Sequence, residues 1–136
     1  LVGGRARAEG YGEVLSPLPD SDQEWLVIAQ PQSRVSTPEA YRALDRIQRE
    51  WLSLDESDRP YNDFERVAPC ECLDLIERLG VLGARGAMLA GSGSAVFGRF
   101  DDASSARSAA DRLDRSSLDG VWVVPTLTRK ESLWTS

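Results

Sequence analysis

The chain has 136 residues, enough for one domain of ordinary size, and its 22 acidic and 16 basic residues leave a formal charge of −6. It has no histidine, which excludes a Ser-His-Asp or Cys-His relay and any histidine-ligated metal site. The acid excess argues against a nucleic-acid or membrane-surface binder, and no apolar run reaches the roughly 20 residues of a membrane span.

Residues 1–19 alternate small and polar side chains around glycines, predicting two short strands, about 1–8 and 12–16, turned at Gly10 and Gly12. Their apolar content is thin, so the pair is expected to complete a sheet supplied by something else. A proline-rich loop follows. Residues 25–29 then form an apolar run of strand length that ends at Pro31.

Ser36 or Thr37 is expected to cap a helix, with Ser36 and Glu39 at capping-box spacing and Pro38 in the first turn. Ala40, Leu44, Ile47, Trp51 and Leu54 form its buried stripe. A second helical region starts near Asn62 and Asp63, restarts at Pro69, and runs through Leu73, Ile76 and Leu79 to a stop at Gly80. Residues 88–90 and 95–97 predict strands flanking Gly91-Ser92-Gly93-Ser94. Asp102 predicts the cap of a helix containing Ala106, Ala109, Ala110 and Leu113, and residues 121–124 predict a last strand. From residue 25 the order is strand, helices, strand, strand, helix, strand. That is the split β-α-β arrangement of a ferredoxin-like α+β domain, with an extra helix in the first crossover.

Several motifs admit a chemical reading beside a structural one. Gly91 to Ser94 can form a tight hairpin, or a phosphate contact made by exposed N–H groups and serine hydroxyls. It lacks the Gly-Lys-Ser/Thr of a Walker loop, and no helix follows it. Ser36-Thr37-Pro38 with Tyr41 is either an ordinary capped helix with a core aromatic or an anion-binding N-terminus beside a ring that stacks on a flat ligand. Asn62-Asp63-Phe64-Glu65 reads as a cap, and Arg5, Arg7 and Arg34 as solvated charge or as phosphate partners. Cys70 and Cys72 point in divergent directions on a helix, so they are expected to be free thiols of a reducing compartment.

Taken together, GGRARAEGYGEVLSPL, WLVIAQP, VSTPEAYRAL, NDFE, GARGAMLAGSGSAVFGRF and WVVPTLT resemble the C-terminal half of GHMP kinases. Ser-Thr-Pro with its aromatic, together with Asn-Asp-Phe-Glu, resembles the branch acting on 4-diphosphocytidyl-2-C-methyl-D-erythritol. The resemblance implies a cytoplasmic enzyme of the non-mevalonate route to isoprenoid precursors, which moves the γ-phosphate of ATP, with Mg²⁺, to the substrate's 2-hydroxyl. It implies that Thr37 and Pro38 line the substrate pocket, that Tyr41 stacks on the cytosine, and that Gly91, Ser92, Gly93 and Ser94 close against the phosphates. Residues 1–20 would be the terminal strands of the N-terminal catalytic domain, and residues 21–136 the C-terminal domain.

The family's ATP loop, catalytic lysine and catalytic aspartate lie in a half that these residues do not contain. No catalytic residue or metal ligand is therefore expected in this chain, and the chain alone is expected to be inactive. A first residue of Leu1 rather than Met fits a piece of a longer protein. Its expected partners are a small cytidine diphosphate derivative and the missing half, with no nucleic acid and no membrane. The alternatives are another GHMP kinase, of homoserine or mevalonate type, and a non-catalytic ligand-binding α+β domain.

Overall fold

In a computed structural model, which describes residues 4–47 and 61–133, the apolar run after Glu24 sets the architecture. The elements in chain order are β1 (Ala6–Glu9), β2 (Val14–Pro17), β3 (Trp25–Pro31), α1 (Thr37–Leu44), a 3-10 helix (Asp63–Val67) and α2 (Cys70–Val81). They continue with β4 (Gly86–Leu89), β5 (Val96–Phe100), α3 (Ala103–Asp111), a 3-10 turn (Arg115–Ser117), β6 (Leu118–Pro125) and α4 (Arg129–Leu133). The chain divides into two compact units. One comprises the residues up to Glu24 together with those from Pro125 on; the other is Trp25–Val124.

In the larger unit the strands form one sheet in the order β4-β5-β3-β6. β5 runs antiparallel to both neighbours, with Val96 opposite Ala29 on β3 and opposite Leu89 on β4. Alternation along β3 turns Val27, Ala29 and Pro31 inward, and along β5 it turns Val96 and Phe100 to the same face. Cys72 and Leu79 of α2 and Ala106, Ala109 and Ala110 of α3 close over that face to make the core. The small alanines let α3 lie close to β3 and β5. This is the ferredoxin-like α+β arrangement expected from the order of elements.

Local chemistry explains where the boundaries differ from expectation. α2 passes through Gly80 to Val81 and is stopped just beyond by Gly83, whose φ of 99° is the left-handed conformation a helix stop favours. Gly83 N–H donates to Gly80 O and Ala84 N–H to Leu79 O, both at 3.0 Å, which satisfies the last carbonyls of the helix. α1 is shorter than its apolar stripe. It ends at Leu44, and Ile47 follows in a turn whose N–H donates to Leu44 O; Trp51 and Leu54 lie outside the described residues. Cys70 is exposed, Cys72 is buried, and neither is bridged. Burial pushes the Cys72 thiol up, with Glu71 and Cys70 adding to the shift.

Asp102 caps α3 as expected, its carboxylate accepting from Ser105 N–H at 2.9 Å and from Ser105 Oγ at 2.8 Å. These bonds hold the carboxyl below the usual aspartate range, the Ser105 N–H first and its hydroxyl second. A lowered folded-state pKa means stabilisation that is present above the ordinary carboxyl range and lost as pH falls through the lowered value. Asp102→Ala is therefore expected to lower the urea midpoint at neutral pH. The difference from the parent chain should close as pH falls through the acid range, and a gap constant with pH would count against the charged cap.

In the smaller unit β1 and β2 pair antiparallel, from Ala6 opposite Pro17 to Glu9 opposite Val14. Every residue of both strands is exposed, Val14 and Leu15 among them. Arg129 ties this unit together. Its guanidinium donates to Arg5 O at 2.8 Å and Leu18 O at 3.1 Å, and its N–H donates to Asp20 Oδ2 at 3.0 Å.

Candidate substrate-binding site

The site residues suggested by the sequence come together within the larger unit, at the end of the sheet where β3 leaves and β4 turns into β5. Gly91 to Ser94 form that turn, closed by Ala90 N–H to Ala95 O at 2.8 Å. Gly91 and Gly93 have φ of 56° and 89°, which a side-chain-bearing residue adopts only with strain. The hairpin reading and the ligand reading of this run are thus compatible, since the turn presents backbone. The N–H groups of Gly91 and Ser92 take no partner among the described residues.

Thr37 opens α1 and reaches this turn directly, its Oγ1 lying 2.8 Å from Ser92 Oγ. The residue before Thr37 departs from expectation. Ser36 stands at the N-cap in extended conformation without a side-chain cap bond, so the capping box with Glu39 does not form. Pro38 in the first turn has no N–H to satisfy. The open N–H groups of Thr37 and Glu39 and the positive end of the helix dipole therefore stand beside the glycine turn.

Tyr41 lies one turn further along α1, with 55% of its surface exposed. It is not a core aromatic. Its ring meets Phe64 edge-on, with centroids 4.9 Å apart at 85°, and Phe64 packs in turn against the core. One side of the tyrosine is braced while the rest stays free to meet a flat ligand.

Asn62, expected as a cap, and Glu65, Gln30 and Cys72 hold this arrangement. Asn62 accepts from Phe64 N–H at 3.0 Å, as a cap should. Its amide also donates to Leu89 O at 2.9 Å and Gly91 O at 2.8 Å, which fixes the start of the glycine turn. Glu65 Oε1 accepts from Leu89 N–H at 2.9 Å. At the other end of the turn, Gln30 Nε2 donates to Ser94 Oγ at 2.6 Å and Cys72 Sγ–H to Ser94 O at 3.4 Å. Ser94 is only 4% exposed, so it anchors the turn from below rather than facing a ligand. The available signal for Gln30 was an amide side chain closing an otherwise apolar strand.

Two of the arginines weighed as phosphate partners are in ion pairs on the surface. Arg34 pairs with Asp119 at 2.6 Å and Arg7 with Glu9 at 3.4 Å. Arg5 lines a small polar cleft with Gly4, Asp20 and Thr126 in the other unit.

Residues 65–119 match the family model described as GHMP kinases C terminal. Among individual proteins the chain is similar to 4-diphosphocytidyl-2-C-methyl-D-erythritol kinases. That of Geobacter sp. (strain M21) is 38% identical over 124 residues, covering 82% of this chain and 44% of the relative. That of Geobacillus kaustophilus is 29% identical, covering 98% of this chain and 51% of the relative.

A solved 4-(cytidine 5'-diphospho)-2C-methyl-D-erythritol kinase superposes with a TM-score of 0.65 at 31% identity, over 88% of this chain and 48% of that one. A homoserine kinase from Cytophaga hutchinsonii superposes with a TM-score of 0.68 at 16% identity, over 96% of this chain and 50% of that one, and shares the fold alone. The chain spans about half the length of the curated relatives it matches.

Proposed function

We propose that the intact protein is an ATP-dependent kinase that phosphorylates the 2-hydroxyl of 4-diphosphocytidyl-2-C-methyl-D-erythritol. In this reading it is a cytoplasmic enzyme of the non-mevalonate route, and the present chain supplies the substrate side of its site. One observation carries the reading: the Thr37–Ser92 hydroxyl bond joins a helix start with open N–H groups to a glycine turn with open N–H groups, beside a braced and exposed tyrosine. A flat neutral base suits the tyrosine face, and a diphosphate suits the two sets of backbone donors. The names of the relatives support the same substrate.

Each group then has a distinct role. Tyr41 stacks on the cytosine, and Thr37 and Pro38 line the pocket around the diphosphate. Gly91, Ser92 and Gly93 close over the phosphates, with Ser94 holding the turn in place. Phosphoryl transfer depends on positioning and on neutralising the transferred group, for which ATP would bring the phosphate and Mg²⁺ the positive charge. The open N–H groups of the turn fit a phosphate oxygen. In this reading Mg²⁺ is bound mainly by the half outside the chain. The catalytic base and lysine belong there too, and the chain alone is inactive. Residues 1–20 are the terminal strands of that N-terminal domain, which would cover the exposed Val14 and Leu15. Residues 21–136 are the C-terminal domain.

The test is Tyr41→Ala in the intact protein, titrated calorimetrically with cytidine diphosphate. A stacked base contributes about 1–3 kcal/mol, so affinity is expected to fall roughly tenfold or more, with Tyr41→Phe near the parent value. Unchanged affinity in the alanine variant would remove the stacking role and, with it, the cytidine assignment.

A further inference from the structure

Among the described residues Ser94 is the one buried polar residue, 4% exposed, and it closes the glycine turn. A hydroxyl so placed has given up water and needs a protein partner. Ser94 is held at two points. Its Oγ lies 2.6 Å from the side-chain nitrogen of Gln30, and its carbonyl accepts from Cys72 Sγ–H at 3.4 Å.

The surroundings fix which way the Gln30 bond runs. The same side-chain nitrogen lies 3.3 Å from Pro31 O, and a carbonyl oxygen can only accept. The atom between the two oxygens is therefore the amide NH₂ group, with a hydrogen for each, and Ser94 Oγ is an acceptor. The two acceptors belong to different parts of the site. Ser94 ends the glycine turn, whereas Pro31 ends β3 and opens the segment that leads to Thr37 and Tyr41. Asn62 holds the same turn at its entry, through Leu89 O and Gly91 O. Gln30 holds its exit.

We propose that Gln30 is a positioning residue for phosphoryl transfer. It keeps the glycine turn in register with the strand end that feeds the Thr37–Tyr41 helix, so the open N–H groups of the turn meet the phosphates while the tyrosine holds the base. The proposal rests on the kinase reading above. Tyr41 takes its brace from Phe64 and not from Gln30, so losing Gln30 leaves the base side in place and displaces the phosphate side. An interaction that matters most as charge develops on the transferred group shows in kcat more than in KM.

The experiment compares Gln30→Met, which keeps the length of the side chain and removes both donors, with Ser94→Ala and the double variant, all in the intact protein. Gln30→Met is expected to lower kcat by roughly tenfold or more, with KM for the cytidine diphosphate derivative within about threefold of the parent. Amide exchange at Ala90 and Gly93, whose N–H groups close the turn on Ala95 O and Ala90 O, should quicken by roughly tenfold, while Ala110 in α3 keeps the parent rate. Ser94→Ala should give the same pattern, and the double variant should add less than about twofold to the larger single effect, because both substitutions break one bond. Gln30→Glu keeps an acceptor for the Ser94 hydroxyl but sets a carboxylate against Pro31 O, so it should not restore kcat; it stands in where Gln30→Met does not fold. Gln32→Met is the control, since the Gln32 amide reaches Ser116 O and not the turn, and it should match the parent in every readout. The proposal is overturned if Gln30→Met turns over like the parent, if its loss falls on KM alone, if the turn amides keep their parent exchange rates, or if the two single effects multiply in the double variant. A parent protein that does not phosphorylate the cytidine diphosphate derivative counts against the kinase reading instead, and the exchange rates then decide whether Gln30 holds the turn.

Discussion

Replacing Asn62 by alanine is expected to destabilise the larger unit by about 2–4 kcal/mol, from three lost hydrogen bonds at roughly 0.5–1.5 kcal/mol each. The effect should not stop at stability. Two of those bonds end on Leu89 O and Gly91 O, so the glycine turn loses the side chain that fixes its entry. For the activity proposed above, kcat/KM of the intact protein should drop on the order of tenfold to a hundredfold, because misplacing a loop at the site by a fraction of an ångström costs that much. Asn62→Asp separates the two roles. It keeps the oxygen that accepts from Phe64 N–H but sets a carboxylate against two carbonyls, so it should not restore turnover. Glu65→Gln retains an acceptor for Leu89 N–H and is expected to be mild. An alanine variant that turns over like the parent protein would show that the turn holds its shape without Asn62.

Phe100→Ala carries the largest expected loss of stability, about 3–5 kcal/mol, read from the denaturant midpoint with the slope unchanged. Phe100 is 1% exposed and sits on the inward face of β5 under both helices, so the vacated space cannot fill from solvent. Against a total of about 5–15 kcal/mol for an ordinary domain, such a loss leaves little in reserve. Phe97 supplies the control. It is half-buried on the opposite face of the same strand, and its truncation should cost visibly less. Equal losses would mean that the core is not confined to the helix-covered face.

The elements legible in the sequence are those governed by local rules. An apolar run of strand length marked β3, the apolar stretch after the glycine run marked β5, Asp102 marked the start of α3, and the order of elements sufficed for the fold class. Gly80 reads as the stop of α2, whereas the helix runs to Val81 and the left-handed glycine is Gly83. The site residues were named from a resemblance, and what joins them was hidden. Asn62 meets Leu89 and Gly91 across 27 and 29 positions, and Gln30 meets Ser94 across 64. No periodicity or capping rule reports such bonds. The spacing of Ser36 and Glu39 likewise predicted a capping box that does not form, and the long-range bond of Thr37 to Ser92, 55 positions away, left no local signal.

The two side chains on Leu89 have a consequence for association as well as for the turn. β4 is the terminal strand of its sheet, paired on one side only, by β5. At its last residue the outward N–H is occupied by Glu65 and the outward C=O by Asn62. A foreign strand that tried to add there would find both hydrogen-bonding groups already engaged by side chains and the acidic Glu65 in its path. The pair that holds the glycine turn thus also blunts a sheet edge, the kind of protection that keeps a short exposed strand from templating aggregation.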